Sequence, residues 1–110
     1  MTLLPDDLPL LRAIQDAIRN RFYLYSIHAA ERSIIRRISD AEVEEALLSE
    51  DAEVIEDYPN DPRGPSCLIL GTTWYGRRLH VQCSYPPNVA VITVYEPNPS
   101  EWLDGKVRRS

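Results

Sequence analysis

The hydrophobic period of this chain changes once, near residue 52, and that change does most to restrict the fold. Before it, apolar residues recur at helical spacing. Leu11, Ile14 and Ile18 share one face of a first helix that Asp6 or Asp7 can cap, with Pro9 in its opening turn and an end near Asn20. The aromatic alternation "FYLYS" predicts a short strand. Ser26 then caps a second helix from Ile27 to about Arg37, with Ile27, Ala30, Ile34 and Ile38 expected on its core face. Ser39 and Glu42 have the spacing of a capping box for a third helix, and Val43, Ala46 and Leu47 form its apolar stripe.

After the change the period is two. "AEVIEDY", "CLILGTTWY", "RRLHVQCSY" and "VAVITVYEP" read as strands. The loop "PNDPRGPS", Gly76 and "PPN" separate them, and Pro97 and Pro99 end the last one. Helices first and strands after predict one α+β domain over 1–110, with residues 1–21 an added N-terminal helix. The expected architecture is helices packed on one face of a roughly four-stranded antiparallel meander. Trp102 leads into a basic tail, Lys106, Arg108 and Arg109, which reads as a frayed end or as a phosphate contact.

Composition narrows the function classes. No run approaches the ~20 apolar residues of a membrane span, and the start "MTLLPDDLPLL" lacks the basic region of a signal peptide. A cytoplasmic protein with no membrane partner is expected. Cys67 and Cys83 sit in apolar runs at a spacing that fits no zinc motif, so two buried thiols are expected. No glycine-rich phosphate loop or nucleophile elbow occurs, so no cofactor and no metal are expected. The net charge of −5 argues against blanket nucleic-acid binding, but the charge is unevenly placed. Residues 40–61 hold ten acids and no base, which leaves twelve bases against seven acids elsewhere. Eleven of those bases are arginine, whose planar fork suits phosphate and carboxylate. The acidic block serves as a solvated surface or docks a basic partner.

Two places suit chemistry. On the second helix, at ~100° per residue, His28, Arg32 and Arg36 span roughly 80° and so share one exposed edge. Such an edge is what any amphipathic helix presents, yet these three can act on one anion together. His28 falls in the first turn, where the helix dipole favours the neutral ring. On the strand "RRLHVQCSY", alternation puts Arg78, His80, Gln82 and Ser84 opposite Leu79, Val81 and Cys83. Thr93 and Tyr95 join His80 on one open polar sheet surface if the register allows. Arg63, in the loop before, either approaches that surface or is a loop charge.

The segments "SIHAAERSIIRRIS", "YPNDPRGPSCLILG", "RRLHVQC" and "VITVYEPNPSEW" occur in the order found in a widespread bacterial domain of unknown function. The chain resembles that family over about residues 23–109, and the His-Ala-x-x-Arg pattern at His28 to Arg32 is its most compact mark. The family is similar to compact endoribonuclease toxins of the RelE and BrnT kind, which place helices on a twisted antiparallel sheet and cut RNA without metal. The resemblance implies that His28, His80 and Tyr95 are catalytic. It implies that Arg32 and Arg36 hold phosphate, and Arg63, from its place in the loop alone, is a third phosphate-binding candidate. The resemblance also implies an RNA substrate or an antitoxin-like protein partner, and no cofactor. The alternative is a non-catalytic interaction module that keeps the fold. Two departures stand out. Arg37 occupies a position where the family has glycine, so it must either take a left-handed backbone or leave the helix end uncapped. The overall acidity also differs from that of the basic toxins.

Overall fold

A computed structural model describes residues 7–110. Helix α1 spans Asp7–Arg19, strand β1 Leu24–Tyr25, helix α2 Ile27–Ile35 and helix α3 Asp40–Leu47. Strands β2 (Glu53–Tyr58), β3 (Ser66–Thr72), β4 (Arg78–Ser84) and β5 (Ala90–Tyr95) follow, then a small hairpin of β6 (Trp102–Leu103) and β7 (Val107–Arg108). The main sheet has five strands in the order β1-β5-β4-β3-β2. It is mixed, because β1 runs parallel to β5. The expected four-stranded antiparallel meander is therefore β2 to β5, and the aromatic alternation adds only a two-residue edge strand. The proposed Asp6 cap lies outside the described residues.

The helix signals in the sequence act as expected. Leu11, Ile14 and Ile18 are buried. Ser26 caps α2 by accepting from the Ala29 N–H at 2.9 Å. Ser39 and Glu42 complete a reciprocal capping box on α3, and Val43, Ala46 and Leu47 are buried beneath it. Gly71 explains how closely α3 lies on the sheet: a Cβ there would stand 1.9 Å from the Ala46 carbonyl oxygen. On this side of the sheet the helices cover Val54, Cys67, Ile69, Leu79, Val81, Cys83, Val91 and Val94 in one apolar core. Cys67 and Cys83 face each other across β3 and β4 as buried thiols.

Helix α2 is rotated from the expected setting. Ala29 and Ser33 face inward, while Ile27 and Ile34 are 79% and 78% exposed, and Ala30 is exposed as well. Of the predicted core face only Ile38 is buried, and it lies beyond the helix. The cause is proximity to β5. Ser26 Oγ donates to the Ile92 carbonyl at 3.0 Å and Arg36 Nη1 to the Val94 carbonyl at 2.7 Å. The two ends of α2 thus close the part of the β5 edge that β1 leaves open, and only small residues fit between them. At its C-terminus Arg37 adopts φ 56°. The Ile38 N–H reaches the Ser33 carbonyl and the Arg37 N–H the Ile34 carbonyl, a Schellman closure made without glycine.

Two bulges set the far face. Between β4 and β5 the register shifts after Gln82, so Val91 pairs Cys83 while Thr93 pairs Gln82 and Tyr95 pairs His80. Plain alternation along β5 would put Val91 on one face with Thr93 and Tyr95; the bulge turns it to the opposite face, beside Cys83. A second shift in β2, between Val54 and Glu56, turns Glu56 to the far face beside Leu68.

Candidate functional site

The far face is not open. The C-terminal hairpin lies across it, turned by Asp104 and Gly105, both at positive φ. Trp102 stands edge-on to His80 with ring centroids 4.4 Å apart. His80 Nε2 lies 2.6 Å from the Gly105 carbonyl oxygen and Nδ1 lies 3.2 Å from the Tyr95 hydroxyl. A carbonyl only accepts, so Nε2 carries the proton and Nδ1 accepts from Tyr95. His80 is fully buried with both nitrogens satisfied. Burial holds its pKa below the ordinary histidine value, against the Gly105 bond that raises it. Burial likewise pushes the Tyr95 hydroxyl up.

The tail residues expected to be frayed hold this cover down. Lys106 Nζ lies 3.2 Å from Oε1 of the buried Glu53. Arg108 grips Glu56 at 2.9 and 3.2 Å and stacks on Trp102 at 4.6 Å. Arg109 donates to the Pro99 carbonyl at 2.7 Å, and Arg78 to that of Asp104 at 3.1 Å. These contacts are the part of the site the sequence reading missed. The signal was present in "WLDGKV", an Asp-Gly turn between apolar residues.

The predicted site residues fall into separate groups. Arg36 meets Tyr95, its guanidinium carbon 5.8 Å from the ring centroid, and Tyr95 meets His80. His28 stands exposed on α2, which lies along the β5 edge, while His80 is fully buried beneath the hairpin. The two histidines do not share a site. Arg63 is paired to Asp61 at 3.2 Å, beside a 280 Å³ cleft lined by Gln82 and Ser84 at the uncovered end of the far face. Arg32 is exposed on the same helix as His28.

Charge pairing separates the cations. Arg19, Arg21, Arg63, Arg77, Arg78, Lys106 and Arg108 each approach a carboxylate. Arg77 does more, donating to the Arg36 and Arg37 carbonyls at 3.1 and 2.8 Å and to Glu42 and Glu96, which clips the end of α2 to α3 and β5. Among the described residues, Arg12, Arg32, Arg36, Arg37 and Arg109 come within ion-pair distance of no carboxylate, and three of these five lie on α2 or its closing turn. The α2 edge is thus a cationic surface left unneutralised. No group of three or more His, Cys, Asp or Glu among the described residues is placed to hold a metal ion. No described helix is long and apolar enough to cross a membrane.

The fold and this edge define an α+β domain of three helices on a five-stranded mixed sheet. The chain belongs to the family described as Domain of unknown function (DUF4258), whose profile matches residues 25–96, from β1 to the end of β5. Helix α1 and the C-terminal hairpin lie outside that match. Neither the curated proteins nor the solved structures gave a match.

Proposed function

We propose that this protein is a toxin-like domain that acts on RNA through the α2 edge. The observation that carries the proposal is the concentration of unpaired arginines on α2 beside an exposed histidine. Arg32 is free to meet a phosphate. Arg36 uses one nitrogen on the Val94 carbonyl and keeps the rest of its fork for a ligand. The N–H groups of Ile27 and His28, ahead of the first intrahelical bond, add anion affinity at the N-terminal end beside His28. The resemblance to metal-independent ribonuclease toxins supplies the substrate class.

In this proposal His28 is the general base. It takes the proton of a ribose 2′-OH as the 2′-oxygen bonds to the adjacent phosphorus. The bond from phosphorus to the 5′-oxygen breaks, and water protonates that oxygen. Arg32 and Arg36 balance charge growing on the phosphate. The product is a cyclic phosphate. His80 takes no part as acid or base, and Tyr95 serves as the ring against which Arg36 rests. The test is incubation of the purified chain with total RNA in the presence of a chelator. Cleavage that His28→Ala lowers about 100-fold, with fold intact, supports the mechanism. Binding without cleavage leaves the non-catalytic module, a reading the sealing of His80 favours.

A further inference from the structure

A groove of about 530 Å³ lies between α3 and the β3–β4 turn, apart from the α2 edge. Ala41, Leu48 and the ring of Trp74 give it an apolar floor and wall, and Glu44, Glu45 and Glu50 line it as well. Trp74 is 84% exposed and the neighbouring Tyr75 is 99% exposed. The sequence pattern draws both into strand β3, but the strand ends at Thr72 and they stand on the turn closed by Gly76. Exposed aromatics of this size have no packing role within the domain and are the residue type that anchors partners.

The groove is preformed. Glu45 accepts from the Trp74 backbone N–H at 3.0 Å, and the Thr73 hydroxyl accepts from the Arg77 N–H at 3.0 Å, so the turn is tied to α3 and closed on itself. Its charge selects the occupant. Residues 40–61 contribute no base, and the chain's own Arg21 already comes to 3.8 Å from Glu44. Arg21 lines a neighbouring cleft rather than this groove, which leaves Glu45 and Glu50 to receive a cation from outside. The free indole face offers the same cation a second favourable contact.

We infer that this groove binds a basic, amphipathic segment of a partner protein, with an apolar side chain on the Ala41–Leu48 floor and arginine or lysine between Trp74 and the glutamates. The partner is peptidic rather than nucleic acid, because the same carboxylates repel phosphate. The inference does not rest on the RNA reading, which concerns α2.

The experiment titrates the full chain with a short blocked peptide of leucine and arginine, followed by amide chemical shifts and by tryptophan fluorescence. A matched peptide with glutamate for arginine, and an arginine-only peptide, serve as controls. Saturable binding is expected, with shifts confined to α3 and the β3–β4 turn. The affinity should fall about tenfold in Trp74→Ala and several-fold in Glu50→Gln, both at exposed positions where folding is not at stake. Both control peptides should bind at least tenfold more weakly. The fluorescence change should vanish in Trp74→Phe, since Trp102 is buried. Shifts spread over other acidic sites such as Asp57 and Asp61, equal binding of the arginine-only peptide, or unchanged affinity in Trp74→Ala would overturn the inference.

Discussion

Burial of His80 withdraws its charged form from water, so the folded chain holds the neutral ring. The unfolded chain protonates first as pH falls, because its histidine titrates near 6.5 while the folded one titrates lower. The stabilisation is therefore fully present above about 6.5 and is lost as pH drops through the window below it. Urea unfolding at pH 7 and 5.5 should register this as lower stability at the lower pH, by at most ~1.4 kcal/mol per pH unit. Equal or greater stability at pH 5.5 would contradict the buried neutral ring. Alternation in the sequence placed His80 on the correct face of β4. It carried no information on what covers that face, since burial of a polar-patterned face depends on a distant segment. Arg37 is the converse case. The end of α2 offered it two options, and the Schellman bonds at Ser33 and Ile34 select the left-handed one.

The elements differ in how fully local sequence specifies them. Both serine caps and the stripes of α1 and α3 were legible, because each rests on contacts within a few residues. The setting of α2 was not. Its isoleucines are more apolar than Ala29 and Ser33, so a pattern reading turns them inward. The helix instead lies against the open edge of β5, where the hydrogen bonds of Ser26 and Arg36 and the lack of space decide the orientation. Gly71 is another long-range requirement that looks like an ordinary strand glycine. A methyl group there meets the α3 backbone, which cannot yield as a side-chain tip does. Gly71→Ala should cost about 3 kcal/mol or more in chemical denaturation, by forcing α3 off the sheet. A loss under ~0.5 kcal/mol would show that α3 and β3 are not so close.

At the scale of the whole molecule the sheet separates two packed layers. One is the helical core over Val81 and Val94; the other is the smaller layer in which Trp102 and the charged hairpin seal His80. The α+β class followed from the order of helical and alternating segments. The mixed sheet did not, since the parallel pairing of β1 with β5 joins residues more than sixty apart. Of the site, the His28–Arg32–Arg36 spacing was legible. The separation of His28 from His80 was not, because the edge against which a helix packs is a tertiary fact. Charge divides within the helical layer, with acids grouped around the α3 groove and unpaired arginines on α2. That division makes the α2 edge the place where an anionic polymer would dock. Its most direct test is the salt dependence of binding to single-stranded RNA, compared between wild type and Arg32→Ala/Arg36→Ala. Each phosphate contact on a single strand contributes about 0.7 to the slope of log affinity against log salt. The account predicts measurable binding by the wild type and a slope shallower by about 1.4 in the variant. No binding at low salt, or the same slope in both proteins, would contradict it.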